Sequence, residues 1–179
     1  MLNKVDVDAL QGARDAITQD PAGGIAEYGI EIEWQQGVRG EVRSLPMRLG
    51  GEEIARDFTW IVDEPPQLLG ESQGPTPQEY LMSGVGACIM VGFAVNASVR
   101  EIELRSLKVT VTGSLDLAGF LNLREHAQVK MSGIEYHIEV DADADPATLK
   151  AIEEAAVNFS PNAMTVLHGI PVSGRLSQA

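Results

Sequence analysis

The chain has 179 residues, 44% of them hydrophobic and 22% charged, and its formal net charge is −13. A chain of this length fits one domain, or one domain with an appendage, and can bury a core without disulfides. The acidic balance and the scattered basic residues argue against nucleic-acid and anionic-membrane partners, and a single cysteine excludes an intramolecular disulfide.

The N-terminal part predicts one helix and then strands. Residues 5–19 place apolar side chains at helical spacing, and the Asp-Pro-Ala-Gly-Gly run that follows ends this helix. Alternation between Ile30 and Trp34 predicts a half-buried strand. Two further strands are predicted, over residues 42–45 and 58–62.

The most apolar segment predicts a helix over residues 76–100. Thr76 and Pro77 are residue types of an N-cap and a first helical position, and Glu79 has the spacing of a capping box. The uncharged span from residue 80 to 99 is long enough to cross a membrane. It is the only such span and contains several glycines, so we expect the buried central helix of a globular protein instead.

Small residues inside this helix predict close packing. Gly84 and Gly86 lie within the helix rather than at a strand-to-helix turn, which argues against a phosphate-binding loop. By spacing, one helical face carries Val85, Cys88, Gly92 and Asn96. We therefore expect a strand or a second helix to approach the central helix near the thiol.

The C-terminal half predicts two strands, a helix, a further helical turn and a last strand. These elements cover residues 107–115, 131–140 (with an irregularity near Gly133), 146–159, 164–168 and 170–176. Pro171 favours an edge position for the last strand. The order of strands, long helix, strands, helix and strand predicts an α+β fold.

The titratable residues do not predict a metal site or a cofactor. The histidines His126, His137 and His168 form no local ligand pair, although distant ligands can still assemble. The acidic triplet that ends at Asp145 resembles the start of a calcium loop. It lacks the required glycine and glutamate, so we interpret it as charge at a helix N-terminus.

Cys88 is the remaining chemical candidate. A buried cysteine is most often a small apolar residue, whereas a nucleophilic one must be a thiolate and needs a nearby cation. Arg39 and Arg43 flank the first strand turn and are candidates for that cation, and Glu79 is a candidate to hold it. A free thiol fits a reducing compartment, so we expect a cytoplasmic protein.

Two segments are informative together: the stretch from Thr76-Pro77 to Ala87-Cys88, and residues 156–161, Ala-Val-Asn-Phe-Ser-Pro. The first resembles the central helix of the OsmC/Ohr family of organic hydroperoxide reductases, and the second resembles that family's Cys-Pro segment. The resemblance begins at about residue 24. It implies an N-terminal helical extension over residues 1–23 and an OsmC-like domain over residues 24–179.

The resemblance implies an intertwined homodimer in which antiparallel sheets pack around a long buried central helix, with active sites at the subunit interface. Cys88 matches the peroxidatic cysteine, and Arg39 is the best match for the activating arginine. Two residues depart from the family. Ser160 stands in place of the resolving cysteine, and Gln78 in place of the usual glutamate, with Glu79 one position later. A sulfenic acid on Cys88 would then need an external thiol.

Two functions follow from the resemblance. The first is an antioxidant thiol peroxidase that reduces organic hydroperoxides with one cysteine and an external thiol reductant. The second is a non-catalytic OsmC-like homodimer that binds an apolar small molecule. In both, the expected pocket is lined by Gln78, Met82, Val85, Ile89 and Phe93.

Overall fold

The structure is a computed structural model that describes residues 1–178, which form two compact units. The first unit is Asp6–Leu81. The second joins Met1–Val5 to the chain from Met82 onward.

The first unit begins with helix α1, Val7–Gln19. The helix starts two residues later than predicted because Asp6 is its N-cap and accepts the amide N–H of Ala9 at 2.9 Å. Asp20 ends α1 and caps a short 3₁₀ helix, Pro21–Gly24. None of the residues of α1 is buried.

Six strands follow in two antiparallel sheets. They are β1 (Ala26–Glu27), β2 (Ile30–Gln36), β3 (Arg39–Ser44), β4 (Met47–Leu49), β5 (Glu52–Ile54) and β6 (Thr59–Val62). One sheet has the order β2-β3-β6 and the other β1-β4-β5. The three predicted strands are therefore confirmed, whereas β1, β4 and β5 are too short for alternation to reveal.

Strand β2 differs from its prediction in burial. Its apolar residues alternate as expected, but all seven residues of the strand are exposed, so the half-buried assignment is wrong. The strand lies at the edge of its sheet. The central strand β3 holds the buried residues instead, at Gly40 and Val42.

Helix α2, Pro77–Val99, is the longest element and confirms the predicted central helix. One face is buried, at Val85, Gly86, Ile89, Phe93, Ala97 and Ser98. By length and composition alone α2 could cross a membrane, with 33% of the apolar window buried. That is weak evidence, since the core helix of a soluble protein has the same composition.

The rest of the second unit is a long hairpin and three helices. The elements are β7 (Leu104–Ser114), α3 (Leu117–Phe120), β8 (Gly133–Ala142), α4 (Pro146–Asn158) and α5 (Pro161–His168). Strands β7 and β8 pair antiparallel, and the register shift lies between Leu104 and Ser106 rather than near Gly133, which begins β8. Mixed helices and antiparallel sheets confirm the α+β class.

The core of the second unit forms between α2 and α4. Ile89, Phe93, Ile152 and Ala156 are at most 2% exposed. Half-buried side chains of the hairpin pack against this cluster, among them Leu107, Ile138 and Val140. Burying aliphatic and aromatic side chains of this size stabilises a fold by about 1.5–3 kcal/mol each.

The N-terminal residues belong to the second unit through Asn3. Its amide Nδ2 donates to Ser98 Oγ at 3.0 Å and to the carbonyl of Ile102 at 2.9 Å. Its Oδ1 accepts the amide N–H of Leu104 at 2.9 Å. One side chain therefore joins the chain start to the end of α2 and the start of β7.

The predicted last strand over residues 170–176 is wrong. These residues follow α5 without entering a sheet, and the sheet of the second unit contains only β7 and β8 within the described residues. Pro171 cannot donate a ladder hydrogen bond. Alternating apolar residues around a proline are therefore insufficient evidence of a strand.

The core assignment predicts a large difference between two phenylalanines. Phe93 is 1% exposed and Phe120 is 75% exposed. Replacing Phe93 with Ala should lower the free energy of unfolding by about 3–5 kcal/mol, whereas Phe120→Ala should change it by less than about 0.5 kcal/mol. Urea unfolding of both variants measures this, and equal effects would contradict the core as described.

Candidate functional site

Cys88 is half-buried on α2, and two close contacts on its face bracket it. Four residues earlier, the carbonyl of Gly84 accepts a hydrogen bond from Asn162 Nδ2 at 2.7 Å. Four residues later, a Cβ on Gly92 would lie 3.2 Å from the Cα of Ala156. Positions four apart share a helical face, so Cys88 lies at the level of the junction between α4 and α5.

The helix packs as its glycines predict. A Cβ on Gly86 would lie 2.8 Å from Val111 Cγ2 of β7, and a Cβ on Gly92 would meet the backbone of α4. The interpretation of these glycines as packing positions is confirmed. The sheet and α4 both approach α2 within one turn of the thiol.

Ser160 lies at the α4–α5 junction and is 2% exposed. It is the N-cap of α5, and its Oγ accepts the amide N–H of Ala163 at 3.2 Å. Pro161 follows at the first helical position. The hydroxyl therefore has a local structural role at the position where the resemblance implies a resolving cysteine.

Arg39 lies in the first unit, at the start of β3. Its Nη1 is 3.0 Å from Glu71 Oε2, and its side chain is 25% exposed. The β2–β3 turn and the loop after β6 form an open cavity of about 310 Å³ beside it, lined by Gln36, Gly37, Val38, Arg39, Asp63, Leu69, Gly70 and Glu71. The other candidate, Arg43, pairs with Glu41 at 2.5 Å and is more exposed.

Asp63 organises the loop that holds Glu71. Its carboxylate is 1% exposed and accepts the amide N–H groups of Glu64, Glu71 and Gln73 at 2.8, 3.1 and 3.0 Å. The hydrogen bond from Gln73 contributes most to lowering the pKa of Asp63, and the positive charge of Arg39 also contributes. The loop is therefore built around an ionised carboxylate.

Glu64 lies in the same loop as Asp63, but its pKa is shifted in the opposite direction. Its Oε2 is buried without a hydrogen-bond partner. Burial raises the pKa of Glu64, and the charges of Asp63 and Glu79 raise it further.

Glu79 caps its own helix. Its Oε2 accepts the amide N–H of Thr76 at 2.7 Å, and its amide N–H donates to Thr76 Oγ1 at 3.2 Å. The predicted capping box is thereby confirmed. The carboxylate that pairs with Arg39 is Glu71, while Gln78 is half-buried on the first turn of α2.

The residues expected to line a pocket differ in burial. Val85, Ile89 and Phe93 belong to the core cluster of the second unit, at 5%, 0% and 1% exposure. Met82 is half-buried. Their role as pocket residues stays a prediction.

Metal-ligating side chains do not cluster in the described part of the chain. Among residues 1–178, no group of three or more His, Cys, Asp or Glu side chains could hold an ion. His126 extends into solvent, with its side chain 90% exposed.

The sequence model of the OsmC-like protein family matches residues 70–174, more than half of the chain. The chain belongs to the OsmC-like family. None of the curated proteins compared with it matches. Proteins of this family are soluble, which agrees with α2 as a core helix.

Solved OsmC-like structures share the fold at low identity. An OsmC-like protein from Mycoplasma pneumoniae is 19% identical, with a TM-score of 0.60 over 80% of this chain and 89% of that one. An osmotic stress and detoxification response protein from Psychrobacter arcticus is 17% identical, with a TM-score of 0.59 over 76% and 85%. The organic hydroperoxide resistance protein OsmC from Legionella pneumophila is 19% identical, with a TM-score of 0.53 over 78% and 88%. The OsmC-like fold is confirmed.

Sequence reasoning missed three polar residues of these two regions. Asp63 and Glu71 belong to a loop without periodicity, so only the folded backbone reveals their hydrogen bonds. Asn162 follows the Ser-Pro interruption, where it could be placed at a helix start but not assigned a partner 78 residues away.

The ionised carboxylate of Asp63 predicts a pH dependence. Because its pKa is lowered in the fold, its stabilisation is present above the unfolded value of about 4 and is lost as the pH falls through the folded value. Asp63→Asn should lower the unfolding midpoint at neutral pH by several degrees. It should also make the decline of stability below about pH 4 shallower.

Thermal unfolding between pH 7 and the acid limit of folding measures both effects. Asp57→Asn, at an exposed position of the same unit, controls for the substitution itself. An acid slope in Asp63→Asn as steep as that of the unmodified protein would contradict the assignment.

Proposed function

We propose that this OsmC-like protein reduces organic hydroperoxides with Cys88 as its only redox cysteine and with an external thiol as reductant. The observation that carries the proposal is the half-buried thiol on the family's central helix, at the level of the α4–α5 junction. A fully enclosed cysteine would be an inert core residue.

The proposed reaction has three steps and uses only one cysteine of the protein. The Cys88 thiolate attacks the terminal oxygen of the hydroperoxide, the O–O bond breaks, and the alkoxide leaves as the alcohol after taking a proton. The resulting sulfenic acid reacts with one external thiol to give a mixed disulfide and water. A second external thiol attacks that disulfide, which restores Cys88 and releases the oxidised reductant.

The external thiol is required because of Ser160. A hydroxyl cannot form a disulfide with the sulfenic acid, and the side chain is buried as a helix cap. A single free cysteine fits this scheme and a reducing, cytoplasmic setting. The partners of the proposed reaction are therefore a small hydroperoxide and a soluble thiol.

In this proposal Arg39 stabilises the thiolate, and a carboxylate orients the arginine. Glu79, the carboxylate first expected from the sequence, caps α2, and Gln78 offers no charge. Glu71 makes the ion pair with Arg39 at 3.0 Å. We therefore extend the proposed set to Cys88, Arg39 and Glu71, with Glu79 and Gln78 retained as candidates.

In this proposal the protein acts as a homodimer. Ile30, Ile32 and Trp34 of β2 are 54%, 58% and 72% exposed and alternate with glutamates. An apolar row of this kind on an edge strand favours contact with another polypeptide. A second copy is the occupant that the family resemblance implies.

A second candidate function is a non-catalytic homodimer that binds an apolar small molecule. Ser160 in place of a resolving cysteine favours it, and so does the ion pair that Arg39 makes within its own unit. The two candidates differ in whether Cys88 is required for turnover.

Peroxide consumption separates the two candidates. The purified protein is given cumene hydroperoxide with a monothiol and then with a dithiol, beside Cys88→Ser. We expect consumption by the unmodified protein and its loss in the variant, because serine at this position cannot form a sulfenic acid. No consumption by the folded protein with either thiol would overturn the peroxidase proposal and favour the binding protein.

Introducing a cysteine at position 160 tests the geometry of the same site. Ser160→Cys should allow an intramolecular disulfide with Cys88 after oxidation, because the α4–α5 junction lies at the level of the thiol. We expect faster turnover with a dithiol and loss of both free thiols after one equivalent of peroxide. Ser160→Thr, which keeps the helix cap, is the matched control and should keep the unmodified pattern.

A further inference from the structure

Asn162 makes a long-range contact next to the thiol that the proposed reaction does not use. Its Nδ2 donates to the backbone carbonyl of Gly84 at 2.7 Å. In α2 that carbonyl is also the acceptor expected for the amide N–H of Cys88, four residues later. One carbonyl is therefore shared by the residue that carries the thiol and by α5.

This hydrogen bond is the polar attachment of α5 to α2. Among the described residues it is the only hydrogen bond between the two helices, and α5 contains no buried residue. Ser160 caps α5 from within the same segment, and Ala163 packs half-buried against the core. Without the Asn162 contact, α5 would stay folded and Ala163 would keep its apolar contact. The first turn of α5 would, however, be freer to move away from the thiol.

The contact between Asn162 and Gly84 lies one helical turn before Cys88, on the same face of α2. Gly84 and Gly92 touch α5 and α4 respectively, and the thiol lies midway between them on that face. At Gly92 the backbone of Ala156 is packed directly against α2, so this side is closed by backbone. At Gly84 the approach depends on one amide side chain.

We propose that Asn162 is a positioning residue that holds the first turn of α5 against the thiol-bearing turn of α2 and so limits the size of molecule that reaches Cys88. The part of this proposal that concerns turnover rests on the proposed function: Asn162 would allow only small thiols to reach the sulfenic acid of Cys88. Its effect on access to the thiol does not rest on that function. The two can therefore be tested separately.

The test is the rate of Cys88 modification by two maleimides in the full-length protein. N-ethylmaleimide is the small probe, and N-(1-pyrenyl)maleimide is the bulky probe of the same chemistry. Asn162→Ala should raise the rate with the bulky probe by about three- to tenfold, the effect of removing one hydrogen bond from a local opening equilibrium. The rate with the small probe should rise less.

Three further variants make the result specific. Asn162→Asp loses the donor and places a carboxylate against the Gly84 carbonyl, so it should behave like Asn162→Ala. Asn162→Gln keeps the donor and should restore part of the protection. Asn96→Ala removes a comparable amide-to-carbonyl bond, to Gly92 at 2.9 Å, within α2 itself, and should leave the ratio of the two rates unchanged.

The outcomes are distinct. Bulky-probe rates in Asn162→Ala and Asn162→Asp within twofold of the unmodified protein would overturn the proposal. An equal rise in Asn96→Ala would also overturn it, since general loosening of α2 would then explain the effect. Labelling uses no peroxide, so the two proposals can fail separately. If the unmodified protein consumes no peroxide but Asn162→Ala still raises the rate with the bulky maleimide, the peroxidase function is rejected and the role of Asn162 is supported.

Discussion

Close packing on two sides of α2 determines the structure of the second unit. Gly86 allows β7 to approach, and Gly92 allows the backbone of α4 to approach, where a larger residue would force the neighbour away. The contacts at Gly92 and Gly84 bring the α4–α5 junction to the level of Cys88. The surroundings of the thiol are therefore a consequence of core packing, and small residues are as important to the site as the polar ones.

Long elements with a clear period or a continuous apolar run could be predicted from the sequence, and so could helix ends with side-chain caps. Helix α2 and its capping box at Thr76 and Glu79 follow from residue type and spacing alone. Strand β2 was predictable as a strand, but its burial was not, because alternation gives the two faces without saying what covers them. The segment after α5 shows the reverse error, in which alternation occurs without a partner strand.

The candidate site could be predicted only where chemistry coincides with a motif. Cys88 is the only cysteine, and its segment resembles a family helix, so the sequence identified it directly. The partner of Arg39 could not be found in this way. Glu71 is 32 residues away in a loop whose shape depends on three amide groups converging on Asp63. Asn162 was missed for the same reason, since its contact spans two helices.

The tether at Asn3 makes residues 6–81 an insertion within the second unit rather than an independent leading segment. The chain leaves the second unit after Val5 and returns at Met82, so formation of that unit closes a loop. Loop closure restricts the unfolded conformations of everything inside it. The ends of residues 6–81 are therefore confined whenever the second unit is formed, and opening the contacts of Asn3 would lift that restriction on the unfolded conformations of a segment that Asn3 does not touch.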